Sequence, residues 1–254
     1  MPTRTIALAN QKGGVAKTTT CLNLGAALVK RGRRVLLIDL DPQANLTLGL
    51  GLDPYQQQAT TYEVLLNADK GAGFAVQSIG EGLDLIPATI DMAAAELELA
   101  GKIGRETLLR EALTPLRDRY DYILIDPPPS LGLFTLNALV AASEVVIPLQ
   151  VHVYALKGVA QLQQTIKLVQ KLNPSLQISG VVCTMVDRRN NLSRVVEQQI
   201  RETFGQLVFE TIIPTNITLA EAPASGQSII DYAPTSAGAL AYSALAEELD
   251  HAQA

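Results

Sequence analysis

The sequence predicts an α/β fold, a mostly parallel sheet with helices on both faces. Three observations carry this. Short apolar runs alternate with longer amphipathic segments along the chain, the rhythm of strands joined by helical crossovers. The runs are near-continuously apolar rather than alternating, as in strands buried on both faces. Hydrophobic residues make up 48% of the 254 residues, enough for one large domain with a full core.

Taken in order, strands are expected over residues 5–9, 34–39, 122–126, 144–149, 178–184 and 208–213, with a weaker one over 83–87. Helices are expected over 19–31, 92–100, 106–119, 132–142, 156–172, 193–204, 219–222 and 236–249. Gly32 suits the end of the first helix. Ser193 reads as the N-cap of the sixth, and Pro174 as the stop of the fifth. The stretch 49–82 is the least regular, with Gln56-Gln57-Gln58 on a solvated turn.

Composition narrows the function. Trp is absent and aromatics are 4%, so the core must be aliphatic. Net charge is −5, which argues against blanket affinity for nucleic acid but leaves room for a local basic patch. Cys21 and Cys183 lack metal-ligand spacing and read as buried, reduced thiols. The start, Met1-Pro2-Thr3-Arg4, has no apolar signal segment, and no run approaches a membrane span. The C-terminal segment carries Glu247, Glu248 and Asp250, whereas a membrane-surface helix would carry Lys and Arg. A cytoplasmic protein without a membrane partner is expected.

The chemistry is concentrated at Asn10-Gln11-Lys12-Gly13-Gly14-Val15-Ala16-Lys17-Thr18-Thr19-Thr20. An apolar strand leads into this loop and a helix leads out. That order makes a phosphate cradle, in which loop N–H groups and the helix N-terminus face an anion. Lys17 would reach the terminal phosphates and Thr18 would bind Mg²⁺. The general pattern asks for Gly where this chain has Gln11 and Ala16. If Ala16 must take φ > 0 it costs roughly 1 kcal/mol relative to Gly; if φ is negative it costs nothing. Two strands end in carboxylates: Ile38-Asp39-Leu40-Asp41-Pro42-Gln43 and Ile125-Asp126-Pro127-Pro128. Apolar residues followed by Asp suit a Mg²⁺-holding strand end, and open parallel sheets gather their chemistry there. The fold is thus of the P-loop NTPase type.

Lys12-Gly13-Gly14-x-x-Lys17-Thr18 resembles the deviant phosphate loop of the ParA/MinD superfamily. Asp39-Leu40-Asp41-Pro42-Gln43 resembles the second signature of small ParA-type (Soj-like) partitioning ATPases. The resemblance covers nearly the whole chain, including Asp126-Pro127-Pro128-Pro129-Ser130-Leu131-Gly132, Tyr154-Ala155-Leu156-Lys157-Gly158 and Ile213-Pro214-Thr215-Asn216. It implies ATP and Mg²⁺ as ligands and hydrolysis to ADP and phosphate. It implies that Lys12 reaches the partner's ATP in a homodimer, that Asp41 positions the attacking water, and that Asp39 and Asp126 sit with Thr18 near the metal. It further implies that Gly13, Gly14, Val15, Ala16, Lys17, Thr18 and Thr19 surround the phosphates. Pro214 and Asn216 would contact adenine, with Met185 and Asp187 near the base. Larger relatives carry an N-terminal helix-turn-helix domain; a single domain over 1–254 without one is expected here.

The family implies a ParB-like activator and non-specific DNA binding by the ATP dimer, hence nucleoid association. Many Soj-like members carry basic residues where this chain has Thr215, Thr218 and Gln227. The remaining DNA candidates are Arg188, Arg189, Arg194 and Arg201, joined by Lys157, Lys167 and Lys171 if their helix lies near. Two alternatives share the loop. A MinD-like or other cargo-positioning ATPase would not use DNA. An iron–sulfur carrier would need cysteines shared across a dimer, a set that Cys21 and Cys183 do not form.

Overall fold

A computed structural model describes residues 2–152 and 155–251, with the side chains of Lys157 and Gly158 left out. Tyr154 and the Lys157 side chain, both singled out above, therefore lie outside the described residues. The strands are β1 (Arg4–Leu8), β2 (Val35–Asp39), β3 (Gln77–Gly80), β4 (Leu83–Ile86), β5 (Tyr122–Asp126), β6 (Glu144–Gln150), β7 (Gln177–Val186) and β8 (Val208–Pro214). The first helices are α1 (Lys17–Lys30), α2 (Asn45–Gly49), α3 (Thr61–Leu66), α4 (Met92–Leu99) and α5 (Leu108–Leu113). They are followed by α6 (Leu133–Ala141), α7 (Ala155–Val169), α8 (Asn191–Phe204), α9 (Thr218–Ala224), α10 (Ile229–Tyr232) and α11 (Ala237–His251). Among the described residues the strands form one eight-stranded sheet in the order β3-β4-β2-β5-β1-β6-β7-β8. All neighbours run parallel except β3 and β4.

The continuous apolar runs are explained by two cores, one on each face. Leu36, Ile38, Ile123 and Ile125 face one core. Val35, Leu37, Tyr122 and Leu124 face the other. Because side chains alternate along a strand, both parities must be apolar when both faces are covered. Close packing sets one residue choice directly: a Cβ on Gly25 would lie 2.7 Å from Leu37 Cδ2, so glycine lets α1 approach β2.

Helix α1 ends as expected at Gly32, with φ +79. Gly32 N–H donates to Val29 O at 2.8 Å and Arg33 N–H to Leu28 O at 3.1 Å, the paired bonds of a Schellman close. Three expectations are corrected. Asn190, not Ser193, caps α8: its Oδ1 accepts from Leu192 N–H at 2.9 Å. Helix α7 ends at Val169, well before Pro174. The segment 106–119 is a shorter helix, α5, followed by a 3₁₀ turn that contains Pro115. The irregular stretch 49–82 holds α3 and β3. Helix α3 starts at a capping box, in which Thr60 and Glu63 satisfy each other's end of the turn. Among the described residues no helix is long and apolar enough to cross a membrane. Cys21 and Cys183 are buried and unbridged among the described residues.

Candidate nucleotide site

Sheet order assembles the site. β5 lies between β2 and β1, and the register aligns Asp39 with Asp126 on neighbouring strands. The loop after β1 follows on the other side of Asp126. Beyond it, β6, β7 and β8 contribute Gln150, Met185 and Pro214 at the same carboxyl edge, where open parallel sheets bind ligands.

The loop is held on its strand side by Asn10, which is 4% exposed. Its Nδ2 donates to Pro148 O at 2.8 Å, and its Oδ1 accepts from Lys12 N–H at 3.0 Å. Thr184 Oγ1 donates to Val15 O at 3.1 Å from the far side. Gly14 has φ +71 and Ala16 φ +66, both left-handed. Ala16 therefore carries the roughly 1 kcal/mol strain that Gly would avoid. In return, α1 begins at Lys17 directly after the loop, with no side-chain cap at its N-terminus among the described residues, which leaves first-turn N–H groups for an anion. Ala44 and Met185 are also left-handed, with φ 51 and 54. Strained backbone thus recurs in the loop, after the Asp39-x-Asp41 segment and at the end of β7.

Lys17 is buried, and its Nζ approaches Lys12 O at 3.5 Å. Burial lowers its pKa, offset in part by Asp126 and Asp41. Lys12 Nζ donates to Gln150 Oε1 at 3.0 Å. Asp41 lines the cleft, and its Oδ1 accepts from Gln43 N–H at 3.0 Å. Asp39 is fully buried. Its Oδ2 accepts from Thr47 N–H at 2.9 Å and Thr47 Oγ1–H at 2.7 Å, and its Oδ1 from Asp41 N–H at 3.2 Å. Burial outweighs these bonds and raises its pKa to about 7.

Asp126 differs. It is 1% exposed, and neither carboxylate oxygen has a hydrogen-bond partner among the described residues. Burial, and next the charge of Asp39, push its pKa well above the carboxylate range; Thr18 and Lys17 offset this only in part. A buried orphan carboxylate next to a Thr hydroxyl suits a hard cation with oxygen ligands. Among the described residues no cluster of three or more His, Cys, Asp or Glu could cage a metal. Mg²⁺ fits that donor set, since it keeps waters and phosphate oxygens and takes few carboxylates.

Two cavities join here. One of about 590 Å³ is lined by Gly13, Gly14, Lys17, Thr18, Asp41 and Pro129 among others. One of about 420 Å³ is lined by Gln150, Pro214, Asn216, Leu219 and Tyr242 among others. Both include Ala16, Thr19 and Met185, which form their common wall. The larger has donors and charge for phosphates; the smaller has apolar walls for a base. Asn216 Oδ1 accepts from Thr218 N–H at 2.9 Å and from the Thr218 hydroxyl. Asp187 does not line either cavity; Arg189 holds its carboxylate, with Nε–Oδ1 at 3.0 Å. A larger cavity of about 880 Å³ lies away from these residues, by the C-terminal end of α1. Its basic side chains are already paired: Lys30 with Asp231, Arg33 with Asp250, Arg34 with Asp121. It offers little to an anionic ligand.

An AAA domain family matches residues 3–178 of the chain. The chain is 49% identical to the sporulation initiation inhibitor protein Soj of Bacillus subtilis over 96% of its own length and 97% of that protein's. The chain belongs to the ParA-type family of partitioning ATPases. The chromosome partitioning protein ParA of Caulobacter vibrioides is 47% identical, over 98% of this chain and 94% of that one. A structure of cobyrinic acid a,c-diamide synthase from Mycobacterium smegmatis, with bound ATP analog and magnesium, superposes with a TM-score of 0.84 at 43% identity. It covers 96% of this chain and 93% of that one.

The basic candidates are less concentrated than the sequence suggests. Arg189 is paired with Asp187, and Arg201 with Glu197 at 3.1 Å and Glu210 at 3.7 Å. Arg194 Nε donates to Arg188 O at 3.2 Å. Lys167 and Lys171 are exposed. Several residues at the site were missed from sequence. Gln150 was legible as the polar residue that ends an apolar strand. Thr47 had no such signal, because its link to Asp39 depends on how α2 folds back.

Proposed function

We propose that this ParA-type chain binds ATP with Mg²⁺, dimerises around it, and hydrolyses it to ADP and phosphate as a positioning switch. The observation that carries this is Asp126, a buried carboxylate whose oxygens have no hydrogen-bond partner among the described residues, beside Thr18 and Lys17 at the end of a central strand. Such a group costs stability unless a ligand satisfies it. Thr18, with Asp126 and Asp39, would hold Mg²⁺, which neutralises phosphate charge when bound. The N–H groups of Gly13 to Thr19 orient the phosphates, and the Lys17 ammonium neutralises spreading negative charge. Asp41, at the cleft wall, orients a water. Pro214, Asn216 and Met185 border the cavity for adenine; Asp187 would act only if it left Arg189. Phosphoryl transfer asks mainly for positioning and charge, and these groups supply both.

Lys12 acts across the dimer, as an arginine finger does. The Lys12→Ala variant should keep ATP binding and lose hydrolysis by about 10³-fold or more. Phosphate release at saturating ATP checks this; a wild-type rate contradicts the role.

DNA binding by the ATP dimer, a ParB-like activator and nucleoid association belong to the same reading. They rest on the family and on Arg188, Arg194 and the exposed lysines. A salt titration of DNA binding with ATP, ADP or no nucleotide tests it. Binding only with ATP and a steep salt slope is expected; equal binding in all three states overturns the DNA part. The synthase name of the Mycobacterium smegmatis structure gives a second reading of the nucleotide site. That reading requires ATP turnover to depend on a small-molecule acceptor rather than on DNA and protein.

A further inference from the structure

We propose that Gln150 is a positioning residue for Lys12: it holds the lysine against its own subunit and so sets how readily the ATP dimer forms. The inference rests on Lys12 acting across the dimer. Its basis is the way β1 and β6 part. They pair up to Leu8 and Val146, and Ala9 N–H still donates to Val146 O at 3.1 Å. Two residues further along β6 is Pro148, which has no N–H to extend a ladder. The Asn10 side chain takes over, donating to Pro148 O at 2.8 Å and accepting from Lys12 N–H at 3.0 Å. The chain is thereby carried one step outward, and Lys12 stands opposite Gln150, the last residue of β6.

Gln150 is itself anchored. It aligns with Thr184 of β7, and Val151 N–H donates to Thr184 O at 3.1 Å. Thr184 in turn bonds Val15 O of the loop. The backbone that carries Gln150 therefore sits at a fixed place, and its amide oxygen takes the Lys12 ammonium at 3.0 Å. Gln150 also borders the smaller cavity, whereas Lys12 lines neither cavity and meets this edge only through its bond to Gln150. A lysine held there must give up this bond before it can reach a second subunit. The contact is exposed, so its strength is modest and adjustable by charge.

Two substitutions move the contact in opposite directions. Gln150→Glu turns it into an ion pair and should raise the protein concentration for half-dimerisation with Mg-ATP by about threefold. Gln150→Leu keeps the bulk, removes the acceptor, and should lower that concentration by a similar factor. The shift in the Gln150→Glu variant should shrink at high salt, since exposed pairs are screened. Sedimentation velocity with Mg-ATP reads the dimer, and calorimetric titration with ADP reads nucleotide affinity of the monomer. Shifts of the same sign, no shifts, or shifts that follow ADP affinity overturn the proposal. If Lys12→Ala dimerises and hydrolyses like wild type, the cross-dimer reading itself fails. If Lys12→Ala is inactive while both Gln150 variants match wild type, only the role of Gln150 fails.

Discussion

The two ends of the sheet both bury charge, and they treat it oppositely. At the amino end, Arg4 is buried and fully partnered. Its Nε and Nη2 donate to Glu144 at 2.8 and 2.6 Å, and its Nη1 to Tyr122 Oη at 3.2 Å and Leu249 O at 2.7 Å. Tyr122 donates onward to Asp250 at 2.8 Å, which also receives Arg33. Burial alone would raise the Asp250 pKa, but the bonds from Arg33 and Tyr122 lower it. The network ties the last turn of α11 to β1, β5 and β6. At the carboxyl end, Asp39 is raised to about 7 and Asp126 is raised with no partner among the described residues. A satisfied buried network holds a fold together; an unsatisfied one marks where a ligand completes it.

The largest expected effect is at the satisfied end. Glu144→Ala leaves Arg4 buried without its carboxylate and should destabilise the protein by about 3–5 kcal/mol. Urea unfolding measures this. A loss under about 1 kcal/mol would erase the contrast between the ends.

Asp126→Asn should go the other way. Without metal or nucleotide the variant should be about 1–3 kcal/mol more stable than wild type at neutral pH, because a buried carboxyl that resists ionisation, and so costs stability as pH rises, is gone. Mg²⁺-dependent ATP binding should weaken at the same time. The sign with pH follows. A folded pKa above the unfolded value of about 3.9 gives stability that is lost as pH rises through the folded pKa. For Asp39 that window runs from about pH 4 to about 7. The depressed Asp250 contributes stability above the unfolded value and loses it only in acid. The melting temperature of ligand-free protein should thus fall from pH 5 to 7.5, and Asp126→Asn should flatten the fall. A rise over that range contradicts the assignment.

The smallest effect sharpens the comparison on the surface. Arg201 is already neutralised by Glu197 and Glu210, so Arg201→Ala should change DNA affinity less than about twofold. Arg188→Ala should weaken it more and reduce the salt slope by about 1. Equal losses would mean that the Arg201 pair opens on DNA.

Much of this was legible in the sequence. The strands 122–126 and 34–39 read clearly because both parities are apolar, and their closing Asp residues reported the carboxyl edge. The phosphate loop read clearly because its chemistry is local. The stretch 49–82 did not, since α3 and β3 are short and held by tertiary contacts such as Thr61 to Asp39 O. The Lys12–Gln150 bond was hidden for a similar reason. It joins residues far apart in sequence that meet only because Pro148 ends a ladder. The φ of Ala16 was open until the loop could be seen. The pairing of Arg189 and Arg201 with acids was not read either, although Asp187 and Glu197 are near in sequence.

The central claim is that each nucleotide site is completed by Lys12 of a second subunit. Mixing Lys12→Ala with Asp41→Ala protein tests it most directly. Each variant alone should be nearly inactive in phosphate release. In a mixed dimer one site regains both groups, Asp41 from one chain and Lys12 from the other, so the mixture should recover a substantial fraction of wild-type hydrolysis. If Lys12 served its own subunit, each site in the mixed dimer would lack one group, and the mixture would stay as inactive as its parts.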